Sequence, residues 1–252
     1  MNLILAGLLL AAAAHAADDL PARMLDLTAT AAQRNDACFA LRGDRSAGAI
    51  DALRTALADS VVRTCAAQNL RQAGALDALL QAVGSDDADV QAAAARELGQ
   101  MRDPRALPAL GHAALDSNVL VASAAIYAVS AYGEAPALPL LLQAARQPGL
   151  AGVTALERAA AFHNTAVLPV ARQILAGADA ASKVIALGVI GDLGDESDLP
   201  RLREIAAKPD PVASRGRGFG FMPVIDLARV AQNAINKITA KIRLLPRLPR
   251  GD

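Results

Sequence analysis

Apolar positions along this 252-residue chain recur in one fixed block. Ala75-Leu76-Asp77-Ala78-Leu79, Ala106-Leu107-Pro108-Ala109-Leu110, Ala137-Leu138-Pro139-Leu140-Leu141, Val167-Leu168-Pro169-Val170-Ala171 and Asp198-Leu199-Pro200-Arg201-Leu202 are copies of one element. Their leading leucines step by 31, 31, 30 and 31 residues, and Ala49-Ile50-Asp51-Ala52-Leu53 is a sixth copy 26 residues upstream of Leu76. A constant period of this size marks a repeat array, in which each unit buries its apolar side only against its neighbour. Counted from the leading residue, the third position holds Leu53, Leu79, Leu110, Leu141, Ala171 and Leu202, and the seventh holds Leu57, Val83, Ala114, Ala145, Leu175 and Ala206. Offsets of 0, 3 and 7 lie on one face of an α-helix, so a first helix begins at each block.

A second helix precedes each following block. Six residues before the leading leucine stand Leu70, Met101, Tyr132, Phe162 and Leu193, read as large core residues. Thirteen before stand Ala94, Ala125, Ala155 and Ala186; eight before stand Gly99, Ser130, Ala160 and Gly191. Small residues alternating with large ones let neighbouring helices approach closely and interlock. Tyr127, Tyr132 and Phe162 fall within this pattern and are read as core. Gly74, Gly99, Gly133 and Gly194 lie near the ends of second helices and suit left-handed terminating positions. Ser85-Asp86-Asp87-Ala88-Asp89 supplies acids for a helix N-terminus and lacks the glycine and terminal glutamate of a Ca²⁺ loop.

The ends depart from the period. Residues 3–14 are an apolar run too short for a membrane span, followed by Ala14-His15-Ala16. That order predicts a signal peptide over residues 1–16, cleaved after Ala16, and a periplasmic or secreted product, although no Lys or Arg precedes the run. Residues 17–46 are read as an N-terminal capping segment, with one amphipathic helix from Asp18 to about Arg42. Cys38 and Cys65 are the only cysteines. In an exported chain they predict a disulfide from this helix to the second helix of the first repeat, the alternative being two buried thiols. The array occupies residues 47–240, its closing helix runs from Val224 to about Lys241, and residues 241–252 form a basic tail containing proline. The last unit carries one long loop over residues 208–223. Arg215 and Arg217 there are candidates to grip a carboxylate or phosphate, and Phe219 and Phe221 to insert into a partner; alternatively, the loop folds back over the end of the core.

Composition narrows the chemistry. Apolar residues make up 54 % but aromatic residues only 2 %, so platforms for stacking bases are scarce and no nucleic-acid partner is expected. The net charge is zero, yet residues 201–252 hold 11 Lys/Arg against 4 Asp/Glu, leaving −7 for the remainder. The histidines His15, His112 and His163 are scattered, and no spacing points to a metal, a nucleophile or a phosphate loop. No cofactor or catalytic residue is assigned.

Val90-Gln91-Ala92-Ala93-Ala94-Ala95-Arg96-Glu97-Leu98-Gly99, followed by Asp103 to Leu110, resembles the HEAT-like repeat of the phycobilisome-lyase type. The resemblance covers residues 47 to about 240 and is best at 75–142. It is fairly specific for fold, and it admits attachment of bilins, a lyase activity, as an alternative function. The sequence thus predicts an all-α fold: a right-handed α-solenoid, a HEAT-like superhelix of about six helix pairs with capping helices at both ends. The expected function is a non-catalytic scaffold or adaptor for a protein partner. A lyase-like enzyme subunit and a purely structural envelope component are the alternatives.

Overall fold

The structure is a computed structural model and describes residues 19–177, 179–208 and 226–244. Among these residues there are fourteen α-helices and no strand. They are α1 (Leu20–Leu25), α2 (Ala31–Ala40), α3 (Ala47–Ala56), α4 (Arg63–Ala73), α5 (Leu76–Val83), α6 (Ala88–Met101), α7 (Leu107–Ala113), α8 (Val119–Ser130), α9 (Glu134–Ala144), α10 (Gly149–Ala160), α11 (Leu168–Gly177), α12 (Ala180–Leu193), α13 (Leu199–Ala206) and α14 (Leu227–Leu244). From α3 onward they form six pairs. The chain divides at Ala131/Tyr132 into two compact units. In the first, α3 packs on α4, α5 on α6 and α7 on α8, while the second helices α4, α6 and α8 pack on one another in order. In the second, α9 packs on α10, α11 on α12 and α13 on α14, with α10, α12 and α14 again stacked in sequence.

The first-helix register is as the sequence predicts. Leu53, Leu79, Leu110, Leu141, Ala171 and Leu202 are all buried, in first helices that each pack on their own second helix. Pro108, Pro169 and Pro200 sit in the first turn, where a missing N–H costs no hydrogen bond. In these three units Asp103, Asn164 and Asp195 cap a 3-10 turn before the helix, each side chain accepting a backbone N–H two residues on. The third unit differs. Glu134 stands at the capping position with a side chain too long for that turn, so α9 starts there and Pro139 lies inside it.

Second-helix packing corrects one part of the sequence reading. Leu70 is buried, but Met101, Tyr132, Phe162 and Leu193 are only half-buried. They stand at the last residue of a second helix or just beyond it. The buried large residues lie one turn earlier: Leu98, Val129 and Ile190 at nine before the leading leucine, and Ile126, Leu156 and Leu187 at twelve. The alanines at thirteen before (Ala94, Ala125, Ala155 and Ala186) are fully buried as predicted. The small residue at eight before is the point of closest approach. A Cβ on Gly99 would stand 2.6 Å from Ala128 Cα, and one on Gly191 2.9 Å from Ala234 Cα.

Helix ends need a second correction. Gly74 and Gly133 do have positive φ, but Gly99 lies inside α6 and Gly194 has φ −70°. Gly194 is required for a different reason, since a Cβ there would clash with the backbone carbonyl of Ile190 and stand 2.6 Å from Asp198 Oδ2. At the position of Gly133, five residues before the leading leucine, two other units carry Arg102 (φ 52°) and His163 (φ 55°). A left-handed residue with a Cβ costs roughly 1–2 kcal/mol, partly offset by the extra backbone entropy of glycine. Arg102→Gly is therefore expected to raise the unfolding free energy by about 0.5–1 kcal/mol in denaturant titration; an unchanged or lower value would contradict this reading of the cap.

The N-terminal segment is two helices rather than the single one expected. Asp26 accepts hydrogen bonds from Thr28 N (2.9 Å) and Thr28 Oγ1 (2.6 Å), which turns the chain. Thr30 and Gln33 then form a reciprocal capping box that starts α2. The turn brings Arg34 inward, where its Nε donates to Met24 O at 2.9 Å and its Nη2 pairs with Asp59. That guanidinium, followed by Val61 N–H, holds the Asp59 carboxyl below its ordinary value. With the folded-state pKa below the unfolded one, the pair's contribution is complete above the usual aspartate value of about 4 and is lost as pH falls through the lower folded value. Stability should be flat from neutral pH to about pH 5 and drop below pH 4. Asp59→Asn should flatten part of that drop, and an identical acid limb in both proteins would contradict it. Cys38 in α2 and Cys65 in α4 are joined in a disulfide, as the sequence suggested. The buried Asn69 amide donates to Cys38 O at 2.6 Å beside it.

Candidate protein-binding surface

An array of paired helices leaves the outer stripe of each second helix free to meet other molecules. In the first unit this stripe is charged and polar on α6 and carries two large, exposed side chains on α8. On α6 it carries Asp89, Arg96 and Gln100, all exposed. Ion pairs knit it to α4, the preceding second helix: Arg63 Nη1 lies 2.9 Å from Asp89 Oδ2, and Arg71 Nε lies 2.6 Å from Glu97 Oε2. On α8 the stripe is Leu120, Ser123, Tyr127 and Ser130, at offsets of 0, 3, 7 and 10 that share one helix face. Leu120 is 41 % exposed, Tyr127 is 52 % exposed, and Val119 beside them is also exposed.

Tyr127 is thus not the core residue that its apolar ring suggests. Its place in the register carries the contrary signal: 31 residues upstream stands Arg96, and 30 downstream stands Glu157. A position held by charged residues in the flanking copies faces outward. Leu120 likewise occupies the position that Asp89 fills one period earlier.

In the second unit the stacked second helices leave a groove of about 430 Å³, lined by Val184, Ile185 and Gly188 of α12 with Glu157, Asn233 and Lys237 at its edges. Lys237 Nζ lies 2.6 Å from Asp192 Oδ1, tying α14 to α12. A further ion pair replaces an apolar contact. The residue before the leading leucine is Ala106, Ala137 or Val167 in three units, all fully buried, but Asp198 in the last. Its carboxylate accepts Arg172 Nε at 2.7 Å, Arg172 Nη2 at 3.0 Å and Asp195 N at 3.1 Å. These hydrogen bonds to Asp198 hold the Arg172 guanidinium above its ordinary value. Every polar group of this buried carboxylate is satisfied within the fold, so it positions the start of α13 rather than awaiting a ligand.

The other residues singled out by the sequence divide plainly. Cys38 and Cys65 are brought together. Arg215, Arg217, Phe219 and Phe221 lie outside the described residues, as do the predicted signal peptide and residues 245–252 of the tail. His112 and His163 belong to different units and both face outward. Among the described residues no group of three or more His, Cys, Asp or Glu could hold a metal ion, and no helix is long and apolar enough to cross a membrane.

Residues 76–161 match the HEAT repeats family. No curated protein matches the chain by sequence. Among solved structures, the complex of CpcE and CpcF of phycocyanin lyase from Nostoc sp. PCC7120 is similar at 23 % identity, covering 90 % of this chain and 93 % of that one, with a TM-score of 0.41. Human deoxyhypusine hydroxylase in complex with glycerol is similar at 16 % identity, over 88 % and 96 % of the two chains, with a TM-score of 0.39.

Proposed function

We propose that this HEAT-repeat array is a non-catalytic scaffold that binds a protein partner through the outer stripe of its second helices, and that it acts in the periplasm or outside the cell. The observation that carries the reading is the α8 stripe. Leu120 and Tyr127 are large and exposed on one helix face; at the Tyr127 position both flanking copies carry a charge (Arg96 and Glu157), and at the Leu120 position the preceding copy does (Asp89). An apolar centre containing tyrosine, beside arginine and polar residues such as Arg96 and Gln100, has the make-up of a protein interface with its rim. Repeat arrays present such stripes side by side as extended binding surfaces. Export rests on the apolar run and the Ala14-His15-Ala16 site, and a Cys38–Cys65 disulfide suits an oxidising compartment.

A photo-crosslinking amino acid placed at position 127 in the producing cell tests the surface. A discrete adduct is expected from position 127 and none from position 77 on the exposed side of α5. Adducts of equal yield from both sites, or none from either, would refute the assignment of this face. N-terminal sequencing of the purified product tests export separately: a chain beginning at Ala17 is expected, and one retaining residues 1–16 in the soluble cell interior would refute it.

A further inference from the structure

Two glycines lie in the body of α12, and packing within the fold accounts for only one. Gly191 meets α14 at close range, a Cβ there standing 2.9 Å from Ala234 Cα. Gly188 has no positive φ, and a Cβ on it would meet nothing within 4 Å. Glycine carries the largest helix-propensity cost of any residue except proline, yet no turn and no close helix contact requires it at 188. The repeat register shows which way this position faces. Glu157 stands 31 residues earlier and Tyr127 one period before that, and both are exposed. Gly188 therefore leaves a hollow where the preceding copies project a side chain.

The hollow belongs to the groove of about 430 Å³ over α10, α12 and α14. Val184 and Ile185, one turn earlier in α12 and only half-buried, continue its apolar floor. Asp192 and Lys237 also line it, but they are paired with each other at 2.6 Å. Glu157 is exposed on the α10 side and has no ion pair among the described residues. The groove thus carries one unmatched negative charge. Since α10 and α12 pack directly on each other, Glu157 and Gly188 are separated by one interaxial step, about 8–10 Å.

We propose that this groove is a second docking site, which takes a peptide segment of a protein partner bearing an aromatic side chain and, within about four residues of it, a Lys or Arg. The aromatic ring lies flat on the helix backbone that Gly188 leaves unshielded, against Val184 and Ile185. The cation meets Glu157 at the rim and cancels the unmatched charge. Aromatic anchors seated in a hollow with a charged edge are the usual energetic centres of protein interfaces. The site stands on residues of the second unit alone and does not depend on the α8 stripe of the first. It also gives Gly188 a purpose: helix stability is given up there for access to the backbone.

Selection of a phage-displayed library of random dodecapeptides on the full chain tests this, followed by fluorescence anisotropy of the enriched peptides. Peptides pairing an aromatic residue with a nearby Lys or Arg are expected to dominate. Their affinity should fall about tenfold or more on Gly188→Leu and on Glu157→Lys, and should be unchanged by Asp77→Lys on the exposed side of α5. Gly188→Leu and the milder Gly188→Ala should melt no lower than the parent chain, so that lost binding with retained stability separates a docking role from a structural one. Enriched peptides that lack the aromatic–cation pair, or that bind Gly188→Leu as tightly as the parent, would overturn the proposal, as would a failure to enrich any peptide. Sedimentation velocity covers the other occupant: a dimer of the parent chain that Gly188→Leu dissociates would overturn it in favour of a second copy.

Discussion

Gly99→Val should lower the unfolding free energy by about 3 kcal/mol, measured by denaturant titration. Second helices α6 and α8 meet backbone to backbone at this position. A Cβ on residue 99 would stand 2.6 Å from Ala128 Cα and 2.8 Å from Ala128 Cβ. Neither is the free end of a flexible side chain, so the helices must separate, and the buried ridge of Leu98, Ala95 and Val129 beside them loosens. The higher helix propensity of alanine returns about 1 kcal/mol, which makes Gly99→Ala milder but still destabilising. An internal control lies in α12. Gly188 has open space around its missing Cβ, whereas Gly191, three residues on, faces Ala234 Cα at 2.9 Å. Gly188→Ala should therefore stabilise by about 0.5–1 kcal/mol and Gly191→Ala should destabilise. The same sign at both positions would remove close approach as the organising constraint.

Loss of the Cys38–Cys65 bond should cost about 3–4 kcal/mol, from the chain-entropy relation for a loop of 27 positions. The bond ties α2 to α4, so it fixes the N-terminal pair of helices to the first repeat. The effect should concentrate in these elements. Cys38→Ala with Cys65→Ala, compared with the parent protein with and without reductant, measures the cost. The doubly substituted protein should be indifferent to reductant, and its amide exchange should quicken mainly in α1 to α4. A change below about 1 kcal/mol would show that the loop entropy is already lost in the unfolded chain.

Much of the fold is legible in the sequence because period and helix face are both linear properties of it. The leucines at 79, 110, 141 and 202 are the spine the pattern predicts, and the glycines at 99 and 191 are the predicted close contacts. The differences share one cause: apolar character alone does not give the phase of a helix. Met101, Tyr132, Phe162 and Leu193 repeat faithfully, but they repeat at helix ends, where part of their surface meets solvent. The chemistry of Tyr127 points to the core, whereas its alignment with Arg96 and Glu157 points outside. The break between α1 and α2 is hidden because apolar residues continue across it. The turn-forming Asp26 with Thr28, and Thr30 with Gln33, are the local signals that outweigh such periodicity. The candidate surface is the least legible feature, because a binding stripe differs from a solvated one only in which side chains a helix leaves uncovered.

The central claim is that one helix pair is the unit of this fold, each pair completing its neighbour's apolar seam. Deleting residues 76–106, one full pair, and separately residues 88–103, half a pair, tests it directly by circular dichroism during thermal melting. The full-pair deletion should keep the helix content per residue of the intact chain and a single cooperative melt, because α4 then meets α7 and α8 in the register of α5 and α6. The half-pair deletion should lose that cooperativity, because two first helices become consecutive and the alternation fails. Equal behaviour of the two shortened chains would contradict the account.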